Sequence, residues 1–189
     1  VWLLGHSEGG LVALAAVQAE DAVCGLILVA TPGRPLGEVL KEQLRANPAN
    51  APLLQQANAA IDALAAGRRV DETELPAPLA QLFAPAMQGF LISVFALNPV
   101  RLAERASKPI LIVQGEADLQ VGIPDAENLE AAAPSADLIR LPNTNHVLKA
   151  VPTSDVAANI ATYSDPSLPL APGIVEAIAH FVKSHAGLD

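Results

Sequence analysis

The sequence predicts an α/β fold in which a parallel sheet is flanked by helices, with a helical insertion between its second and third strands. Three observations carry this. Four short apolar runs are spaced along the chain, each closed by Gly, Pro or Asn. Helical segments alternate with them, which is the pattern of parallel strands joined by helical crossovers. The connection between the second and third runs, from about Arg34 to Lys108, is far longer than a crossover requires.

Val1-Trp2-Leu3-Leu4 is the first run, ended by Gly5, and the small and apolar residues Gly10 to Gln18 follow as a buried helix. Gly25 to Ala30 (GLILVA) is continuously apolar and closed by Thr31-Pro32-Gly33, as expected of a strand covered on both faces. Four helices are expected in the long connection: Glu38 to Arg45, Leu53 to Ala66, Pro78 to Phe83 and Gly89 to Leu97, separated by Pro- or Gly-bearing breaks. Pro109 to Gln114 (PILIVQ) is the third strand and Ala136 to Leu141 (ADLIRL) the fourth. The segment Val151 to Gly173 is rich in Pro, Ser and Asp and reads as an irregular surface loop. Ile174 to His185, with Ile174, Ile178, Phe181 and Val182 at helical spacing, reads as a closing amphipathic helix. The expected organisation is a core of residues 1–33 and 108–189 interrupted by a helical cap at residues 34–107.

Composition narrows the function classes. A chain of 189 residues buries about 70% of its extended-chain surface, enough for one core but not two full domains. The net charge of -9, with 11 scattered Lys and Arg, provides no footprint for a phosphate backbone. No apolar run approaches the ~18 residues of a membrane span. Cys24 is the single cysteine, so no internal disulfide forms, and no His/Cys cluster has zinc-ligand spacing; neither a metal nor a cofactor is expected. Trp2 and Cys24 are expected in the core. No signal-peptide pattern precedes the first strand, and a cytoplasmic location is expected.

The chemistry centres on Gly5-His6-Ser7-Glu8-Gly9, a GxSxG pattern with a strand before it and a small-residue helix after it. A serine on so sharp a turn takes a strained backbone, so Gly5 and Gly9 are expected as side-chain-free neighbours, and Gly10 lets the helix lie close to the sheet. The turn also aims the Glu8 backbone N–H and the helix N-terminus at developing negative charge, one donor of an oxyanion hole. The Glu8 side chain is expected to complement the helix dipole.

This elbow resembles that of the α/β-hydrolase superfamily, specifically its Gly-His-Ser-x-Gly-Gly members, the serine aminopeptidases, monoglyceride lipases and carboxylesterases. The resemblance covers essentially the whole chain. It implies a Ser, acid, His order with each residue at the C-terminal end of a different strand, and a cap in the long connection. Gly115-Glu116-Ala117-Asp118-Leu119-Gln120-Val121 resembles the family's Gly-x-x-Asp-x-x-Val turn, which implies Asp118 as the acid, with Glu116 and Asp125 as nearby alternatives. His146, in Asn143-Thr144-Asn145-His146 just after the fourth strand, resembles the family's base loop. Its expected role is general base toward Ser7. His6, His180 and His185 are expected to be structural, Lys149 and Asn145 to shape the His146 loop, and Tyr163 to line an acyl pocket or the surface.

The resemblance further implies strands on the N-terminal side of Val1, which carry the second oxyanion donor; Val1 therefore reads as a position inside a longer fold. The expected activity is a serine hydrolase that cleaves carboxylic esters of uncharged acyl groups, with a small-molecule ester as substrate. Alternatives are a noncatalytic fragment or interaction module that needs its N-terminal half, and an acyltransferase or peptidase of the same fold. The expected macromolecular partners are that missing segment or a second copy in a homo-oligomer.

Overall fold

The computed structural model describes residues 1–151 and 155–187. Four strands, β1 (Trp2–His6), β2 (Gly25–Val29), β3 (Ile110–Gly115) and β4 (Asp137–Leu141), form one sheet in the order β1-β2-β3-β4, every neighbouring pair parallel. The strands form where apolar runs allow burial from both sides. In β2, Leu26 and Leu28 join a core beneath one face while Ile27 and Val29 join the core beneath the other. In β3, Ile110 and Ile112 alternate with Leu111 and Val113 in the same way. This is the period-two division of side chains that a central strand imposes.

Helix α1 (Glu8–Ala16) follows β1 directly and buries Leu11 and Leu14. The chain then divides into two compact units, one formed by Val1–Gly33 with Pro99–Asp189 and one by Arg34–Asn98. Within the second unit lie α2 (Leu36–Ala46), α3 (Leu54–Ala65), α4 (Ala77–Leu82) and α5 (Pro85–Phe95). Its own apolar interior includes Ile61, Leu64, Phe83 and Val94. Gln88 is 1% exposed there and fully used, its Nε2 donating to Val70 O and Phe83 O at 2.9 Å each and its Oε1 accepting from Val70 N at 3.0 Å. Eleven charged residues fall between 34 and 74 and none between 75 and 98, so the charge-free stretch of the insertion is its α4–α5 part.

Back in the first unit come α6 (Pro99–Arg105), α7 (Ile123–Ala132), α8 (Val156–Ala161) and α9 (Ile174–His185). Helix α6, which the sequence places in the insertion, contributes Ala103 to the core that also holds Leu14 of α1 and Leu129 of α7. Phe181 and Ile174 of α9 pack on the opposite face, with Phe181 edge-on to Trp2 at 5.6 Å.

Three local expectations need correction. The segment from Val151 to Gly173 holds α8, started by Asp155, whose carboxylate accepts from Ala157 N at 2.9 Å and Ala158 N at 3.0 Å; its residues 152–154 lie outside the described ones. Cys24 is exposed rather than in the core. Gly9 is not sterically required, because a Cβ there would meet nothing within 4 Å.

Candidate active site

Ser7 is the hinge between β1 and α1. Its backbone lies at φ 55° and ψ −124°, a conformation that costs a non-glycine residue of order 1–3 kcal/mol. The surroundings hold it there: Ser7 N–H donates to Val29 O of β2 at 2.8 Å, and Gly10 N–H returns to Ser7 O at 3.0 Å. A Cβ at Gly5 would stand 2.3 Å from Gly9 O, so only glycine lets the chain reverse this tightly. At Gly10 a Cβ would meet Thr31 Oγ1 at 2.0 Å, consistent with a helix drawn against the sheet. Ser7 is half-buried. It caps α1 through position alone, since its side chain makes no capping bond. The Glu8 N–H, at the start of α1, has no acceptor inside the helix. Burial raises the Glu8 carboxyl above its ordinary value.

Asp118 lies in the turn after β3, and its side chain is fully buried. Its Oδ1 accepts from Gln120 N at 2.8 Å and Val121 N at 3.0 Å, closing an Asx-type turn. Its Oδ2 accepts from His146 Nδ1 at 2.8 Å and from Gln114 Nε2 at 3.3 Å. The bond to Oδ2 places the proton on Nδ1, which leaves Nε2 of a neutral His146 as an acceptor. Among the described residues Nε2 makes no hydrogen bond. Glu116 is exposed, and Asp125 accepts from Gly33 N–H at 3.0 Å, so neither alternative carboxylate meets His146.

The His146 loop is folded back on itself. Thr144 and Ala150 form an antiparallel bridge, and Asn143 (φ 52°) and Leu148 (φ 61°) take left-handed turns on either side of His146. Gly115 lets this loop cross β3, because a Cβ there would stand 2.2 Å from Thr144 O. His6, the residue before Ser7, donates Nε2–H to His146 O at 2.7 Å, and the two rings lie 4.8 Å apart. The elbow, the Asp118 turn and the His146 loop therefore converge at the C-terminal ends of β1, β3 and β4. The hydroxyl oxygen of Ser7 makes no hydrogen bond among the described residues.

Two polar side chains at this site carry no sequence signal. Gln114 is wholly buried, and its Nε2 serves Gly115 O at 3.2 Å and Val121 O at 2.8 Å as well as Asp118 Oδ2, while its Oε1 has no partner. Three acceptors around one amine fix the amide orientation. Asn159 of α8 donates to Ala117 O at 2.7 Å. An Asp two residues before Ala157-Ala158 is the helix-start signal that could have located α8, though not the burial of its Asn. Tyr163 accepts from Gln120 Nε2 at 3.3 Å, and burial raises its hydroxyl further above neutrality. No three His, Cys, Asp or Glu side chains are grouped to hold a metal among the described residues.

Comparison with known proteins adds the lineage. The model described as "Alpha/beta hydrolase family" matches residues 1–160. The curated relative Esterase EstD of Thermotoga maritima is 29% identical over 127 residues, which are 67% of this chain and 29% of EstD. A crystal structure described as a non-heme bromoperoxidase, BpoC, of Mycobacterium tuberculosis superposes with a TM-score of 0.53 at 14% identity, covering 98% of this chain and 67% of that one. A Pyrococcus furiosus esterase superposes with a TM-score of 0.51 at 15% identity, covering 98% of this chain and 54% of that one. At such identities the two structures share the fold alone. The match spans less than a third of the curated relative's length.

Proposed function

Because this chain belongs to the α/β-hydrolase family, we propose that it carries the nucleophile, acid and base of a serine esterase: Ser7, Asp118 and His146. The family and its esterase relatives support a hydrolase. The observation that carries the finer reading is the 2.8 Å pair of His146 Nδ1 and Asp118, packed against the residue that precedes an elbow serine.

In this reading Ser7 Oγ attacks the carbonyl carbon of a carboxylic ester while His146 Nε2 takes the hydroxyl proton. Asp118 does not itself take the proton; it holds the imidazole tautomer and stabilises the imidazolium. The Glu8 N–H and the head of α1 meet the negative oxygen of the tetrahedral intermediate. Collapse breaks the ester C–O bond, and His146 returns the proton to the departing alcohol. Water, deprotonated by the same nitrogen, then attacks the Ser7 acyl ester; the Oγ–acyl bond breaks, His146 returns that proton to Ser7 Oγ, and the acid is released. Residues 34–98 are assigned as the inserted helical unit of the same enzyme.

Hydrolysis of p-nitrophenyl acetate tests this. Ser7→Ala brings the rate to the uncatalysed background, and Asp118→Asn lowers kcat by about 10³–10⁴-fold with the fold intact. A Ser7→Ala protein that hydrolyses the ester at the native rate contradicts the assignment.

A further inference from the structure

The turns that carry Asp118 and His146 are joined by a second, deeper link. Asn159 is only 4% exposed, unusual for a side chain that ordinarily stays in water. Its Nδ2 donates at 2.7 Å to Ala117 O, in the residue just before Asp118. Its Oδ1 accepts at 3.1 Å from Nδ2 of Asn145, the residue just before His146. One amide thus grips the chain immediately upstream of both the acid and the base.

The orientation of that amide follows from its partners. A carbonyl can only accept, so Nδ2 must face Ala117 O, and Oδ1 is left for the Asn145 amine. The groups around it are satisfied too. Asn145 is fully buried; its Nδ2 also donates to Thr162 Oγ1 at 2.7 Å and its Oδ1 accepts from Lys149 N at 2.9 Å. Thr162 Oγ1 in turn donates to Asn159 O at 2.8 Å. Ala117 N–H donates to Thr144 O at 2.9 Å, so its residue is tied to the base loop on one side and to α8 on the other. Buried networks satisfied to this degree favour one arrangement, and losing a member leaves donors and acceptors stranded in a dry site.

We propose that Asn159 is a positioning residue that sets the separation of the acid and base turns, and with it the His146–Asp118 hydrogen bond. The proposal rests on the reading of those two residues as base and acid. Asn159 touches neither the reacting atoms nor the His146 ring. It acts by backbone placement, to which proton transfer is sensitive because a displacement of about 1 Å in a catalytic constellation costs on the order of 100-fold in rate.

The test compares this chain with its Asn159→Ala variant by two readouts: the downfield proton resonance of His146 Nδ1–H, assigned by its loss in His146→Ala, and steady-state hydrolysis of p-nitrophenyl acetate. The expected result is a resonance moved upfield or broadened away and kcat lowered by about 10- to 100-fold, with KM within about twofold, in a variant that still melts cooperatively. An unchanged resonance and kcat within about twofold overturn the proposal. If Asn159→Ala does not fold, Asn159→Asp, which keeps the size and the acceptor, is read by the same criteria; failure of both to fold overturns the proposal in favour of a purely stabilising role. A native chain that shows the resonance but hydrolyses no ester contradicts the esterase reading instead, and the resonance comparison alone then decides on Asn159.

Discussion

At the residue scale, Glu8 occupies the first turn of α1 beside Ser7, where burial raises its carboxyl above the ordinary carboxylate value. A raised folded-state value means that folding favours the protonated form. The associated stability is present below the unfolded value and is lost as pH rises through the folded one. Glu8→Gln removes this dependence, so the variant is expected to gain melting temperature relative to the native chain as the pH rises through and above the ordinary carboxylate range. Thermal melts of the two proteins across that range check it, and a difference that stays constant with pH contradicts it. Residues of this kind differ in how far the sequence exposes them. Ser7, Asp118 and His146 each follow an apolar strand, in short turns that carry Gly5, Gly115 and Asn145 within three residues of them, so position in the chain singles them out. Gln114 and Asn159 are invisible by the same logic: nothing in a sequence marks a polar amide as buried, and the atoms that satisfy it come from turns up to 42 residues away.

At the element scale, the strands were the most legible parts because β2 and β3 are buried on both faces and therefore apolar without interruption. Helix α9 was legible for a related reason, since its one buried face repeats at helical spacing. Helix α8 was not, being six residues long and flanked by Pro, Ser and Asp that read as loop. Helix α6 was missed as part of the sheet's own cover because its short length leaves a single buried Ala, Ala103, to reveal which core it joins. The crossing of the base loop over β3 depends on Gly115, where an added Cβ would press on the Thr144 carbonyl at 2.2 Å. Backbone cannot yield there as a flexible side chain would. Gly115→Ala is therefore expected to destabilise the chain by about 1–3 kcal/mol and to weaken the Asp118–His146 bond. Urea denaturation monitored by circular dichroism measures the first effect; a variant as stable as the native chain contradicts the prediction.

At the scale of the whole molecule, the sheet gives the first unit its most protected interior. Leu26, Leu28, Ile112 and Val113 are all essentially solvent-free, whereas Val1 and Leu4 at the β1 end of the sheet are 74% and 55% exposed. Native-state hydrogen exchange is expected to find the slowest amides in β2 and β3 and faster exchange in β1, because local opening is easiest where few apolar contacts must break. Slowest exchange in β1 contradicts that ordering. The chemistry of the site is measured most directly by the reaction of this chain with a fluorophosphonate, an electrophile that phosphonylates an activated serine and stays attached. Intact-mass and peptide mass spectrometry are predicted to find one adduct, on Ser7, that is absent from Ser7→Ala and strongly slowed in Asp118→Asn. A demonstrably folded chain that forms no adduct, or forms it at another residue, contradicts the assignment of Ser7 as the nucleophile.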